Sequence, residues 1–141
     1  MAKFRLFDGF GGKGYAKVTD RGQLVTAPLD FSEFYNVTLG TANTAGNLIG
    51  PIANKRFVIT ALILYGNINV STVTDATVEL YEATSNSTLT VSKSLYKQEV
   101  GRQKLVSLAG LNVITNPGIW INAKTDDDDV YVNMAGYYVS V

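Results

Sequence analysis

The chain is 141 residues long, 46% hydrophobic and 17% charged, the size and composition of one globular domain with a real core, and short for a doubly wound nucleotide-binding enzyme. Twelve basic and twelve acidic residues cancel to a formal net charge of zero, so no overall field favours nucleic acid, an anionic membrane or an acidic substrate. Cysteine and histidine are both absent, which excludes Ser-His and Cys-His nucleophilic pairs, cysteine redox chemistry and zinc sites built on those ligands.

The opening, residues 1–30, reads as an extended glycine-rich arm. Within "DGFGGKGYAKV" (8–18), Gly9, Gly11 and Gly14 satisfy the letters of the G-x-G-x-x-G dinucleotide fingerprint, whose pyrophosphate must sit on the N-terminus of a helix directly after the last glycine. The residues after Gly14, "YAKVTDRGQLVTAP", are rich in β-branched side chains and interrupted by Gly22 and Pro28. They read as strand or arm, so the nucleotide reading is set aside. The same segment is basic, with Lys3, Arg5, Lys13 and Lys17 against Asp8. The apolar start breaks at Asp8, so no secretory signal is expected, and no run approaches the roughly 20 apolar residues of a membrane span. The expectation is a chain made and folded in the cytosol, its three N-x-S/T matches (Asn36, Asn69, Asn86) being chance.

Residues 31–141 alternate with period two. Strands are expected at 15–18, 23–27, 34–39, 56–67, 76–83, 104–109, 111–115, 119–123, 130–134 and in the C-terminal "GYYVSV", with turns at "DRG", "TSNST", "TNPG" and the four aspartates. Many short strands at near-regular spacing predict an all-β antiparallel sandwich or barrel. The run "RFVITALILYGN" (56–67) is apolar on both faces: Phe57, Ile59, Ala61, Ile63 and Tyr65 on one, Val58, Leu62 and Leu64 on the other. Its second face should therefore be covered, by the chain's own segment 1–50, by the "LGTANTAGNLIGPIAN" loop (39–54) or by another copy of the chain. Phe57, Ile59, Ile63 and Tyr65, with Trp120 and Tyr137, are the candidate subunit-interface residues.

No catalytic constellation, cofactor site or metal site emerges. Glu79 and Glu82 share a predicted strand, but a separation of three places them on opposite faces, away from a common glycosidic bond. Asp126 to Asp129 offer oxygen ligands without calcium-loop spacing, and a solvated acidic turn is the favoured reading. Trp120, with Tyr131, Tyr137 and Tyr138, could form a sugar-stacking platform, although a lone Trp is more often core or interface.

Two stretches carry a resemblance. The head "FDGFGGKGYAKVTDRGQLVTAP" resembles the openings of small virion proteins of tailed bacteriophages, and the tail "YKQEVGRQKLVSLAGLNVITNPGIWINAKTDDDDVYVNMAGYYVSV" is similar to the closing strands of phage β-sandwich modules. The resemblance implies a non-enzymatic structural protein of the virion: a jelly-roll-like capsid decoration (cement or head-fibre) protein, trimeric, made in the host cytoplasm, whose partner is the major capsid protein. On that reading Lys3, Arg5, Lys13 and Lys17 of the arm meet acidic capsid surface while Phe4, Leu6, Phe7 and Phe10 supply apolar contact. No nucleic acid or membrane is involved. The alternative is a tail- or fibre-associated module recognising host surface glycan.

Overall fold

The computed structural model describes residues 33–67, 74–127 and 129–141, together with the backbone of Phe4–Phe7 and Lys13–Ala16. The chain divides into two units, Met1–Asp30 and Phe31–Val141. In the first, β1 (Phe4–Phe7) and β2 (Lys13–Ala16) pair antiparallel, Phe4 opposite Ala16 and Phe7 opposite Lys13. Gly14 therefore lies inside a strand, and the glycine pattern has no helix behind it at Tyr15 and Ala16. Gly9, Gly11 and the expected strand at 23–27 lie outside the described residues.

The second unit is all-β. Its strands are β3 (Glu33–Leu39), β4 (Gly46–Ile49), β5 (Lys55–Gly66), β6 (Asp75–Ala83), β7 (Lys93–Gly101), β8 (Leu105–Ile114), β9 (Trp120–Thr125) and β10 (Val130–Ser140). They form two four-stranded sheets, β3-β10-β5-β8 and β4-β9-β6-β7. Every ladder is antiparallel, and among the described residues there is no helix. The pairing is nested: β3 with β10, β4 with β9, β5 with β8, and β6 with β7. One long hairpin, folded at β6–β7, has wound its two arms across both sheets.

The inward side chains of both sheets meet in a single core that includes Leu62, Leu64, Val132 and Met134 from one sheet and Val78, Leu80, Val100 and Ile121 from the other. Each fully buried aliphatic residue contributes about 1.5–3 kcal/mol of transfer free energy. β10 shows the alternation plainly: Val130, Val132 and Met134 are buried, whereas Tyr131 and Asn133 are exposed. The sandwich expected from period-two patterning is thus the fold of this unit.

The expected two-faced strand groups its residues differently. In β5 the register against β10 runs from Ile59–Gly136 directly to Ala61–Ala135, so Thr60 is an extra residue, a β-bulge. A bulge reverses the parity of everything beyond it. Phe57 and Ile59 before it and Leu62 and Leu64 after it all face the core, at 0–2% exposure. Ala61, Ile63 and Tyr65 turn to the opposite side. The strand is apolar on both faces, but in other groups than strict alternation gives: Phe57, Ile59, Leu62 and Leu64 face the core, while Val58, 3% exposed, Ala61, Ile63 and Tyr65 face the other way. The 39–54 segment does not cover the other side, since its centre is β4, which pairs with β9 in the opposite sheet. Opposite the bulge stands Gly136, where a Cβ would run into the Val58 carbonyl oxygen and the Phe57 ring.

Other differences share this cause. The runs 104–109 and 111–115 are one strand, β8, passing through Gly110 at φ 72°, and 130–134 joins the C-terminal run as β10. β7 is hidden from a period-two reading because Leu95 is an extra residue between the Leu80–Tyr96 and Tyr81–Ser94 pairs, which breaks its alternation. β4 is four residues set among Gly, Asn and Thr.

Buried polar groups are hydrogen-bonded, and among the described residues no buried side-chain nitrogen or oxygen lacks a partner. Glu82, 2% exposed, accepts from the Asn116 backbone N–H at 2.8 Å and from Asn116 Nδ2 at 2.7 Å, with Lys93 Nζ 3.7 Å away. The buried Asn122 donates to the Ser85 carbonyl at 2.9 Å and accepts from Asn47 Nδ2 at 3.0 Å. These clasps hold the 84–92 and 115–119 connections against the sheet ends.

Candidate assembly surface

Outward side chains of β3-β10-β5-β8 form a grid set by register. Phe34, Ala135, Ala61 and Ala109 lie in one row. Asn36, Asn133, Ile63 and Ser107 make the next, and Thr38, Tyr131, Tyr65 and Leu105 the third. No residue of these rows is charged. Several are large and apolar yet exposed: Phe34 at 77%, Leu105 at 63% and Ile63 at 41%. Phe34, Ala61, Ile63 and Ala135 line a shallow apolar depression edged by Asn36 and Asn133.

The outer face of the other sheet is built from the opposite chemistry. Lys124, Glu79 and Lys97 face one another across β9, β6 and β7, with Thr77 opposite Glu99 in the neighbouring row. Lys124 Nζ is 3.3 Å from Glu79 Oε2 and 5.1 Å from the centroid of the Tyr81 ring. Burial pushes the Tyr81 phenol above its ordinary value, with the Glu79 carboxylate adding to the rise and the hydrogen bond with Asn122 opposing it. This face is what a water-facing sheet ordinarily carries.

The candidate interface residues from the sequence do not come together. Phe57 and Ile59 are core residues, so their side chains are not available to a neighbour. Ile63 and Tyr65 share the uncharged rows; Tyr137, opposite Val58, lies beyond them on the same side of the sheet, next to the Val139–Arg56 pair. Trp120 belongs to the other sheet, where its indole covers Gly50, 3.4 Å from the position of a Cβ on that glycine. Of the arm residues, Phe4, Arg5, Leu6, Phe7 and Lys13 fall in β1 and β2. Lys3, Phe10 and Lys17 lie outside the described residues.

The sequence gives no sign that Phe34 is exposed, because "FYNV" reads only as alternation, with Phe34 and Tyr35 competing for the core. The structure gives the core to Tyr35, whose hydroxyl is 3.0 Å from that of Tyr138. Phe57 packs edge-on against both rings, with centroids at 5.7 and 5.0 Å. Burial first, then the Tyr35 hydrogen bond, pushes the Tyr138 phenol well above the ordinary tyrosine range.

Glu79 and Glu82 have separate partners, Lys124 for the first and Asn116 with Lys93 for the second. Asp126 Oδ1 accepts from the Thr77 backbone N–H at 2.6 Å, which ties the acidic turn to β6. Asp128 lies outside the described residues. Among the described residues no group of three or more acidic side chains is placed to hold a metal ion. No protein-family model matches the chain, and no curated protein matches it.

Proposed function

We propose that this chain is a non-enzymatic structural protein of a tailed-phage virion, a decoration protein that binds the outer surface of the capsid shell and stabilises it. The observation that carries the reading is the uncharged outer face of β3-β10-β5-β8 around Phe34 and Ile63, both exposed on it. Contiguous exposed apolar surface on a small protein marks a contact with another macromolecule, and here the contact is assembly, with copies of the chain forming a homotrimer. The charged face of the other sheet then remains toward solvent. The nested hairpin order of the eight strands supports the jelly-roll reading, an architecture of two Greek keys recurrent in capsid and lectin domains.

The basic N-terminal segment completes the proposal. Lys3, Arg5, Lys13 and Lys17 meet acidic capsid surface, with Phe4, Leu6, Phe7 and Phe10 supplying apolar contact. Three such segments on one oligomer raise avidity well beyond that of a single one. Antibody-gold electron microscopy of intact particles tests the reading: label distributed over the head is the expected result, and label confined to the tail tip, or absent from particles, contradicts it.

A further inference from the structure

At the end of the uncharged face away from Phe34, Tyr65 of β5 and Tyr131 of β10 stand opposite each other in register. Their ring centroids are 6.1 Å apart and the planes 20° from parallel. Tyr131 keeps 38% of its surface exposed. Thr38, the residue opposite it on edge strand β3, is small and polar. On the other flank Leu105, opposite Tyr65, is 63% exposed.

Two side-chain amides complete the arrangement. Tyr65 OH donates to Gln103 Oε1 at 2.5 Å, Gln103 Nε2 donates to Asn67 Oδ1 at 3.4 Å, and Asn67 Nδ2 donates to Tyr131 OH at 3.5 Å. With the ring contact these bonds close a cycle of two phenols and two amides. The backbone fixes it from three connections: Gln103 N–H to the Gly66 carbonyl at 2.6 Å, Gly66 N–H to the Lys104 carbonyl at 3.1 Å, and Asn67 N–H to the Asp129 carbonyl at 2.8 Å. Gln103 itself sits at φ 53°, a left-handed conformation that costs free energy for a residue with a side chain and that persists only where its surroundings impose it.

We propose that this cycle is a binding platform for a neutral saccharide. A pyranose ring has an apolar C–H face and a rim of hydroxyls. An exposed tyrosine face stacks the first, and amides, each able to donate and accept at once, pair with the second. None of the four side chains is charged, so the platform offers no ion pair to an anionic or cationic ligand. A near-parallel pair of rings also lacks the ridged aromatic groove that a polyproline helix occupies. The proposal does not rest on the virion reading: assembly is assigned to the Phe34 and Ile63 rows, and the platform is two alternate-residue steps, roughly 14 Å, along the strands from the Phe34 row.

An array of neutral oligosaccharides built from glucose, galactose, mannose and N-acetylglucosamine, probed with the full chain, tests it. The best-bound trisaccharide is then titrated while the tyrosine ring resonances are followed by NMR. Saturable binding that shifts the Tyr65 and Tyr131 rings is expected, weakened about tenfold in Tyr131→Ala through loss of stacking and severalfold in Gln103→Ala, with Tyr131→Phe between wild type and Tyr131→Ala. Gln103→Ala decides the matter if Tyr131→Ala fails to fold. Four results overturn the proposal: no oligosaccharide on the array binds; binding is unchanged in the variants; the two rings respond to a proline-rich peptide and not to sugar; or they respond only to protein concentration, which would make the platform a contact between copies.

Discussion

The two outer faces of the sandwich come from the same strand chemistry and end in opposite surfaces. On β4-β9-β6-β7 the outward positions hold Lys124, Glu79, Lys97 and Glu99, whose charges alternate in sign across the sheet. On β3-β10-β5-β8 the outward positions hold Phe, Tyr, Ile, Leu, Ala, Asn, Ser and Thr, and no charge in the rows from Phe34 to Leu105. Both sheets supply inward residues to one core, so folding does not account for the difference. A surface that excludes charge while exposing Phe34 and Ile63 is adapted to be covered. A surface of alternating charge is adapted to water and discourages edge-to-edge and face-to-face association.

The sharpest test of that contrast uses neighbouring residues. Leu62 is fully buried and Ile63 is 41% exposed, although both are aliphatic and adjacent in β5. Leu62→Asp is expected to abolish the folding transition, and even Leu62→Ala to cost about 2–5 kcal/mol. Ile63→Asp is expected to cost the unassembled chain no more than about 1 kcal/mol, any further loss being that of assembly. Urea denaturation followed by circular dichroism compares them. A larger loss in Ile63→Asp than in Leu62→Asp would mean that β5 does not change parity at Thr60.

Next in size is the clasp behind the charged sheet. Glu82→Ala removes the carboxylate that pairs with both Asn116 donors and leaves a backbone N–H unpaired near the core edge. The expected loss is about 1–3 kcal/mol, with Glu82→Gln recovering part of it, read from the same denaturation curves.

Smaller still is the surface pair on that sheet. Lys124 and Glu79 are only partly buried, so Glu79→Ala should cost no more than about 0.2–1 kcal/mol and less in high salt. It should leave any self-association untouched. A change in association state on Glu79→Ala would undo the assignment of the two faces.

The mildest effect is at alkaline pH. Tyr81 and Tyr138 both have phenol pKa values raised above the ordinary value of 10.0, chiefly by burial. Because the folded state holds these protons more tightly than the unfolded chain, the associated stability is complete below about pH 10 and falls as pH rises beyond it. Absorbance titration should show Tyr81 and Tyr138 ionising above the ordinary tyrosine value, with melting temperature declining only above about pH 10. Tyr138→Phe should remove part of the alkaline decline.

The fold class is legible in the sequence because alternation dominates the chain. In the first halves of β6 and β10 (Ala76, Val78, Leu80; Val130, Val132, Met134) the buried apolar residues fall at every second position, and one face must then be inside. Three features are not legible, each for a physical reason. A bulge leaves no mark in composition, so the parity change at Thr60 hides which apolar residues of β5 share a face. β7 carries its own extra residue at Leu95, and β4 is too short for its period to show. The candidate surface is half legible. Ile63 and Tyr65 stand out from the sequence, but strict alternation groups Phe57 and Ile59 with them by a parity that holds only on one side of Thr60. Gln103 and Asn67 carry no signal at all: their role depends on three turns meeting at the sheet end, which only the register of β5, β8 and β10 brings about.

The central claim is that the uncharged face of β3-β10-β5-β8 is buried on assembly at its Phe34 and Ile63 rows. Sedimentation equilibrium of the full chain and of Ile63→Asp tests it most directly. The account predicts an oligomer for the natural chain and a folded monomer for Ile63→Asp, whose melting temperature no longer depends on protein concentration. A natural chain that stays monomeric at high concentration, or an Ile63→Asp variant that assembles as the natural chain does, would contradict it.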